Sequence, residues 1–168
     1  MIMSNRHPQA KHGLAEAIRR LPWLATILVS ALRWTRARYT AGVVGVVLNE
    51  RDEVLLVKHV FHSSVPWGLP GGWMERDEAP SEALRRELRE EIGLEISILG
   101  PLLILPGEHR HHLDMAFLCR AHNAVQHLST ELLDYRWAGR DELPLLPPFH
   151  RAAAAAGWAR RICEVREV

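Results

Sequence analysis

The sequence predicts an α/β domain with a mixed β-sheet between helices, preceded by a separate helical extension. Three observations carry this. Over residues 40–168, strand-like apolar runs and helix-like segments follow the order strand, strand, helix, strands, helix. The chain has 168 residues and 48% hydrophobic content, enough for one substantial core but not for two full domains. Near residue 40 the character changes, dividing the chain into residues 1–39 and 40–168.

The extension contains an uncharged run from Leu21 to Leu32, bracketed by Arg19 and Arg20 and by Arg33, Arg36 and Arg38. That run is too short to span a bilayer, which takes about 20 apolar residues. Read as a helix from Leu14, it aligns Leu14, Ile18, Leu21, Leu24 or Ala25, Leu28 and Leu32, widened by Trp23, Ile27 and Trp34. Pro22 is expected to break or kink it near its middle. Such a face suits packing on its own domain, a homodimer contact, or peripheral contact of residues 14–38 with a membrane surface. "VSA" at 29–31 resembles a signal cleavage site, but the region before it is long and contains Glu16. A cytoplasmic location is therefore expected.

In the main part, "TAGVVGVVLNERDEVLLVKHV" (40–60) reads as two β-rich runs joined at Asn49 to Asp52, a hairpin signal. The loop "FHSSVPWGLPGG" leads to a helix opened by Pro80, with Ser81 and Glu82 at its positive end and Gly93 as a left-handed cap. Strands are expected at 95–105, 111–121 and 131–139. The turn-rich connector "RDELPLLPPFH" then leads to a final helix, "FHRAAAAAGWARRICEV", in which Phe149, Trp158 and Ile162 give the alanines something to pack against.

The first helix holds the conspicuous chemistry. "RRELREEIG" (85–93) sets Glu87, Glu90 and Glu91 on one side, beside the apolar stripe of Leu84, Leu88 and Ile92. Like charges at this spacing repel, so arginines or a metal must neutralise them. Three such acids alone read as an ordinary solvated helix face.

Their context argues otherwise. From Gly72 the sequence runs "GWMERDEAPSEALRRELREEIGL", with Glu78, then Arg86-Glu87-Leu88, Glu90-Glu91 and Gly93-Leu94 at fixed intervals. This resembles the Nudix box of the Nudix (MutT-like) hydrolases at every fixed position, a coincidence on the order of one in a billion from average residue usage. "LPGGW" (69–73) lets the backbone approach a ligand and offers carbonyl oxygens, which Mg²⁺ accepts beside carboxylates.

The resemblance covers Thr40 to Cys163 and implies the Nudix α/β/α sandwich. It also implies Mg²⁺-dependent hydrolysis, with Mn²⁺ as a substitute, of a diphosphate bond in a nucleoside diphosphate linked to another moiety. Carried over, Glu87, Glu90 and Glu91 are the metal ligands, joined by a Gly71 or Gly72 carbonyl. Arg86 orients the acids by pairing with Glu78 or Glu90, and Glu90 and Glu131 are the candidates for general base. Lys58, His59, His109 and Arg110 are candidates for phosphate contact, each with surface solubility as the plain alternative. Phe61 and Trp67 suit base stacking or structural packing.

Substrate identity is not legible. The chain lacks the SQPWPFPxS array of NADH pyrophosphatases, a well-placed downstream proline of ADP-ribose pyrophosphatases, and the tyrosine of many dinucleoside polyphosphate hydrolases. The catalytic cysteine motif of isopentenyl diphosphate isomerase has no counterpart. Two alternatives stand beside the hydrolase: a non-catalytic nucleotide-sensing module, and a membrane-associated hydrolase of a lipid-linked diphosphate. With 21 Lys+Arg against 20 Asp+Glu, nothing global suggests nucleic acid binding. Cys119 and Cys163 lack metal-site spacing and read as thiols of a reducing compartment. The histidines of "EHRHHLD" (108–114) suit solvent or phosphate contact better than a transition metal.

Overall fold

Helix α1 (Pro22–Thr35) precedes the strands β1 (Thr40–Val47), β2 (Val54–His59), β3 (Trp67–Gly68) and β4 (Gly71–Trp73). Helix α2 (Pro80–Ile92), strands β5 (Ile96–Pro106), β6 (His112–Ala121) and β7 (Leu132–Ala138), a 3₁₀ turn at Arg140–Glu142 and helix α3 (Pro148–Arg166) follow. The computed structural model describes residues 22–35, 38–61, 64–107 and 110–166. The chain divides into two compact units, Met1–Arg38 and Tyr39–Val168.

In the second unit β1 and β2 are nearly continuous apolar runs because both of their faces are covered. Val43, Val47, Leu55 and Val57 enter one core with Leu84, Leu88 and Ile92 of α2. Val46, Leu48, Val54 and Leu56 enter a second core with Ala153, Ala154 and Trp158 of α3. The two-residue period of a strand makes that division, since neighbouring side chains point to opposite faces. The result is the α/β/α layering the sequence leads one to expect.

The strands split into a four-stranded sheet, β4-β1-β6-β5, and a three-stranded sheet, β3-β2-β7. β1 runs parallel to β6, and β4 and β5 are antiparallel to their neighbours, so the larger sheet is mixed. The hairpin expected at Asn49 to Asp52 is corrected here. Asn49 Oδ1 accepts the N–H groups of Arg51 (2.9 Å) and Glu53 (3.0 Å), which reverses the chain. Yet β1 and β2 share only a bridge at Leu48 and Val54, because β4 and β6 take the edges of β1 while β3 and β7 take those of β2.

Helix α2 starts and stops where its sequence dictates. Pro80 occupies the first turn, and Gly93 at φ 64° gives its N–H to the Arg89 carbonyl while Leu94 gives its own to Leu88, both at 3.0 Å. In α3, Trp158 is 4% exposed and donates Nε1–H to the Asp52 carbonyl at 2.6 Å, tying the helix to the turn after β1. Ile162 is not packed as expected: it is 41% exposed, one turn beyond the buried Trp158.

Helix α1, described by itself, spans Pro22–Thr35, and the stretch from Leu14 to Leu21, on which the expected break or kink at Pro22 depends, lies outside the described residues. Trp23, Ile27 and Val29 are more than half exposed. Leu14, Ile18 and Leu21, and the side chains of Leu24, Leu28, Leu32 and Trp34, lie outside the described residues. Among the described residues no helix is long and apolar enough to cross a membrane.

Candidate active site

The apolar stripe of α2 docks on the sheet, and this carries Glu87 and Glu91, one turn apart, to the glycine strand β4. Glu87 lies so close that a Cβ on Gly72 would sit 2.5 Å from its carboxyl carbon. Gly71, at φ +148°, has no room for any side chain, since a Cβ there would strike the Val43 carbonyl of β1. Its backbone N–H lies close enough to the Glu91 carboxylate to favour the charged form.

Arg86 organises the acids. It grips Glu78 with Nε and Nη2, both at 2.9 Å, gives Nη1 to Glu87 at 2.8 Å and reaches Glu90 at 3.4 Å. Nη2 also donates to the Trp73 carbonyl at 3.1 Å, fastening the helix to β4. The side chain therefore meets both partners the sequence suggests, Glu78 and Glu90, and Glu87 besides. This bond holds the Glu78 carboxyl below the ordinary carboxylate range and raises the Arg86 guanidinium, so that it stays charged.

Glu87 and Glu91 move the other way. Burial raises Glu87, with Arg86 opposing. Burial pushes Glu91 up to about 7, helped by the nearby charges of Glu87 and Glu131, while the Gly71 N–H works against it. Glu91 Oε2 is buried and has no hydrogen-bond partner. A buried oxygen without a donor costs roughly 1–3 kcal/mol, a cost a cation would remove.

A cleft of ≈ 590 Å³ runs past these groups, with Gly71, Gly72, Glu87, Glu91 and Glu131 on its wall. Among the expected site residues, Glu131 and His59 face it, whereas Glu90, Arg86, Lys58 and Arg110 are not part of its lining. Glu90 is 62% exposed and meets the cluster only through Arg86. Lys58 neighbours His59 on β2, and neighbouring strand positions face opposite ways. Arg110 lies exposed in the turn before β6, and His109 lies outside the described residues. Phe61 lines the cleft, 77% exposed, while Trp67 packs against the second core under the Arg136 guanidinium, 4.6 Å from its ring centroid.

Several cleft residues were not legible in the sequence. His150 arrives from α3, where Nδ1 accepts the Leu69 N–H at 2.9 Å across 81 residues of chain. His112 and Asp114 stand two apart on β6, a spacing that already placed them on one strand face. His112 Nε2 meets Asp114 Oδ1 at 3.0 Å, Nδ1 meets Thr40 Oγ1 at 2.8 Å, and its ring lies 4.7 Å from that of Trp73.

The donors present are hard oxygens, which suit Mg²⁺ or Mn²⁺ better than a soft metal. Among the described residues no three acidic, His or Cys side chains form a closed cage for a metal ion.

Comparison with known proteins gives a concordant picture. A sequence model of the NUDIX domain matches residues 38–157. The NAD-capped RNA hydrolase NudC of Yersinia enterocolitica is 35% identical over 117 residues, which are 67% of this chain and 45% of that protein. Its counterpart in Photorhabdus laumondii is 32% identical over 107 residues, 63% of this chain and 42% of that one. The chain thus spans less than half the length of these relatives. Among solved structures, an ADP-ribose pyrophosphatase from Streptococcus suis superposes with a TM-score of 0.63 at 22% identity, over 73% of this chain and 91% of that one. A MutT NUDIX hydrolase from Burkholderia pseudomallei gives 0.64 at 21% identity, over 71% and 98%. At such identities the superpositions speak to the fold alone.

Proposed function

The chain belongs to the Nudix family, and from that premise we propose that it hydrolyses a diphosphate bond in a nucleoside diphosphate linked to another moiety, with Mg²⁺ or Mn²⁺ held by Glu87, Glu90 and Glu91. The observation that carries this reading is the buried, unpartnered Glu91 oxygen beside Glu87 and the glycine strand. A Gly71 or Gly72 carbonyl joins the carboxylates as a ligand. A cation bound there neutralises diphosphate charge and acidifies a bound water.

The chain's own residues do the rest. Arg86, anchored on Glu78 and the Trp73 carbonyl, is a positioning residue that sets the Glu87 carboxylate. Glu131 faces the cleft beside Glu91 and takes the proton of the attacking water, as a general base within reach of the reacting group. Its cleft position favours it over Glu90 for that task. His59, on the cleft wall, contacts a phosphate. The relatives' printed names make an NAD-type dinucleotide the first substrate to try, beside ADP-ribose and nucleotide sugars. The partner is a small nucleotide derivative. The free, buried Cys119, its thiol pushed up to about 12 by burial, supports a reducing compartment such as the cytoplasm.

The test is hydrolysis in ¹⁸O-water with Mg²⁺, the products being read by mass spectrometry. Label on a product phosphate is expected, because water enters at phosphorus. Label only on a sugar carbon, or no hydrolysis across the panel, would overturn the reading.

A further inference from the structure

The acids account for one side of the cleft, and the other side carries a polar group that the proposed chemistry does not use. Across the larger sheet, Gly42 of β1 is paired with Trp73 of β4 on one side and with Asp114 of β6 on the other. Residues paired directly across strands project from the same face, so Trp73 and Asp114 stand in one row; Gly42 adds no side chain of its own, and the edge of the His112 ring lies over it, 4.7 Å from the Trp73 ring centroid to centroid. Gly72, one residue along, turns instead toward Glu87. The row and the acids thus belong to opposite faces of the edge strand β4, and the same cleft reaches both.

Asp114 is held in place. Its Oδ1 accepts from His112 Nε2 at 3.0 Å, and His112 Nδ1 is fixed by Thr40 Oγ1 at 2.8 Å. A carboxylate can only accept, so His112 Nε2 is the donor in its bond to Asp114. Two glycines make room for the pair. A Cβ on Gly107 would lie 2.5 Å from the His112 ring and 2.8 Å from Asp114 Oδ2, and one on Gly42 would lie 3.2 and 3.3 Å from His112 and Asp114. His112 is 7% exposed, yet Asp114 keeps 26% of its side chain open and Trp73 keeps 58% of its surface open. Seating a hydrogen-bonded carboxylate in a cleft costs desolvation, and the open aromatic ring beside it offers a stacking surface.

We propose that Asp114, positioned by His112 and Thr40, is a specificity-determining residue that accepts a hydrogen bond from an exocyclic amine on a heterocycle lying against Trp73. The inference rests on the nucleotide-substrate reading above and names a substrate feature: cytosine or adenine is taken in preference to uracil or hypoxanthine. A carbonyl at the same ring position meets the carboxylate oxygen with lone pair against lone pair. A site that hydrogen-bonds a polar substituent rejects analogues lacking it far more strongly than an apolar pocket does.

The experiment compares matched pairs on the full chain with Mg²⁺: CDP with UDP and ADP with IDP for binding by calorimetry, and the corresponding diphosphate sugars for hydrolysis. Roughly tenfold or greater preference for the amine-bearing member is expected. D114A should abolish it through KM while kcat stays within about threefold, because the interaction is the same in ground and transition states. D114N, which keeps the shape and presents an N–H in place of an acceptor, should shift preference toward the carbonyl-bearing member. H112A should weaken the preference without touching the acids, since His112 acts through Asp114. A preference in binding without hydrolysis of any substrate would sustain this subsite and overturn the hydrolase reading. Hydrolysis without preference, equal losses on both members in D114A, or no binding of either would overturn the subsite.

Discussion

Replacing Gly72 by alanine should separate catalysis from folding more cleanly than any change to an acid. The new methyl group would sit 2.5 Å from the Glu87 carboxyl carbon, 2.6 Å from Oε2 and 2.8 Å from Oε1, whereas ordinary contact begins at 3.4 Å. The carboxylate must therefore retreat by about 0.9 Å, the difference between 3.4 and 2.5 Å. It can, because it is the far end of a flexible side chain and the Gly72 backbone is not in the left-handed region. Retreat weakens the 2.8 Å bond from Arg86, but Arg86 keeps both bonds to Glu78. The stability cost should stay near 1 kcal/mol, about 2–4 °C in Tm for a chain of this size. A misplacement of about 1 Å at a reacting centre costs on the order of 100-fold in rate. G72A should therefore fold and lose about 100-fold in kcat/KM at saturating Mg²⁺. G71A is the contrasting control. Its methyl group would strike the Val43 backbone and its φ of +148° strains any L side chain, so strain of at least about 3 kcal/mol should cost it folded protein as well. Steady-state kinetics and thermal unfolding on the two variants decide the matter. G72A within threefold of wild-type activity would refute the claim that the Glu87 carboxylate position governs turnover.

The remaining predictions concern Glu91 and the extension. Glu91 rises from its ordinary 4.5 to about 7 in the folded chain, so the folded form favours the proton. The stability it contributes is fully present below pH 4.5 and is lost as pH rises toward 7, at most about 3 kcal/mol at 1.36 kcal/mol per pH unit. In EDTA, wild-type Tm should fall across that window, Mg²⁺ should restore it near pH 7.5, and E91Q should lose both responses together with most turnover; an unchanged pH slope in E91Q would exclude Glu91 as the source. Deleting residues 1–39 should leave Mg²⁺-dependent hydrolysis intact but change self-association or lipid binding, because α1 exposes Trp23, Ile27 and Val29. Light scattering and liposome flotation on full-length and truncated protein read this, and two lipid-free monomers would leave the segment without an intermolecular role.

What the sequence determined by itself is what lies within a turn or two of chain. Pro80 and Gly93 bound α2 because a first-turn proline and a left-handed glycine cap act through neighbouring backbone groups. The i, i+4 spacing put Glu87 and Glu91 together whatever they would face, and the box glycines announced a close approach without saying to what. Only the folded chain showed that Gly72 is spared a side chain by Glu87 and Gly71 by the Val43 carbonyl. It also brought Glu131 near Glu91, aimed His150 at Leu69 and laid Thr40 against His112 across 72 residues. The split of β1 and β2 into separate sheets belongs with these, since the Asn49 turn forms as its residues dictate, yet which edges the other strands occupy keeps its flanking strands from pairing beyond one bridge. Local periodicity fixes the face on which a side chain stands. The partner of that face is chosen by the burial of apolar surface and the satisfaction of strand edges over the whole domain, and those interactions couple residues too far apart in sequence for any local pattern to record.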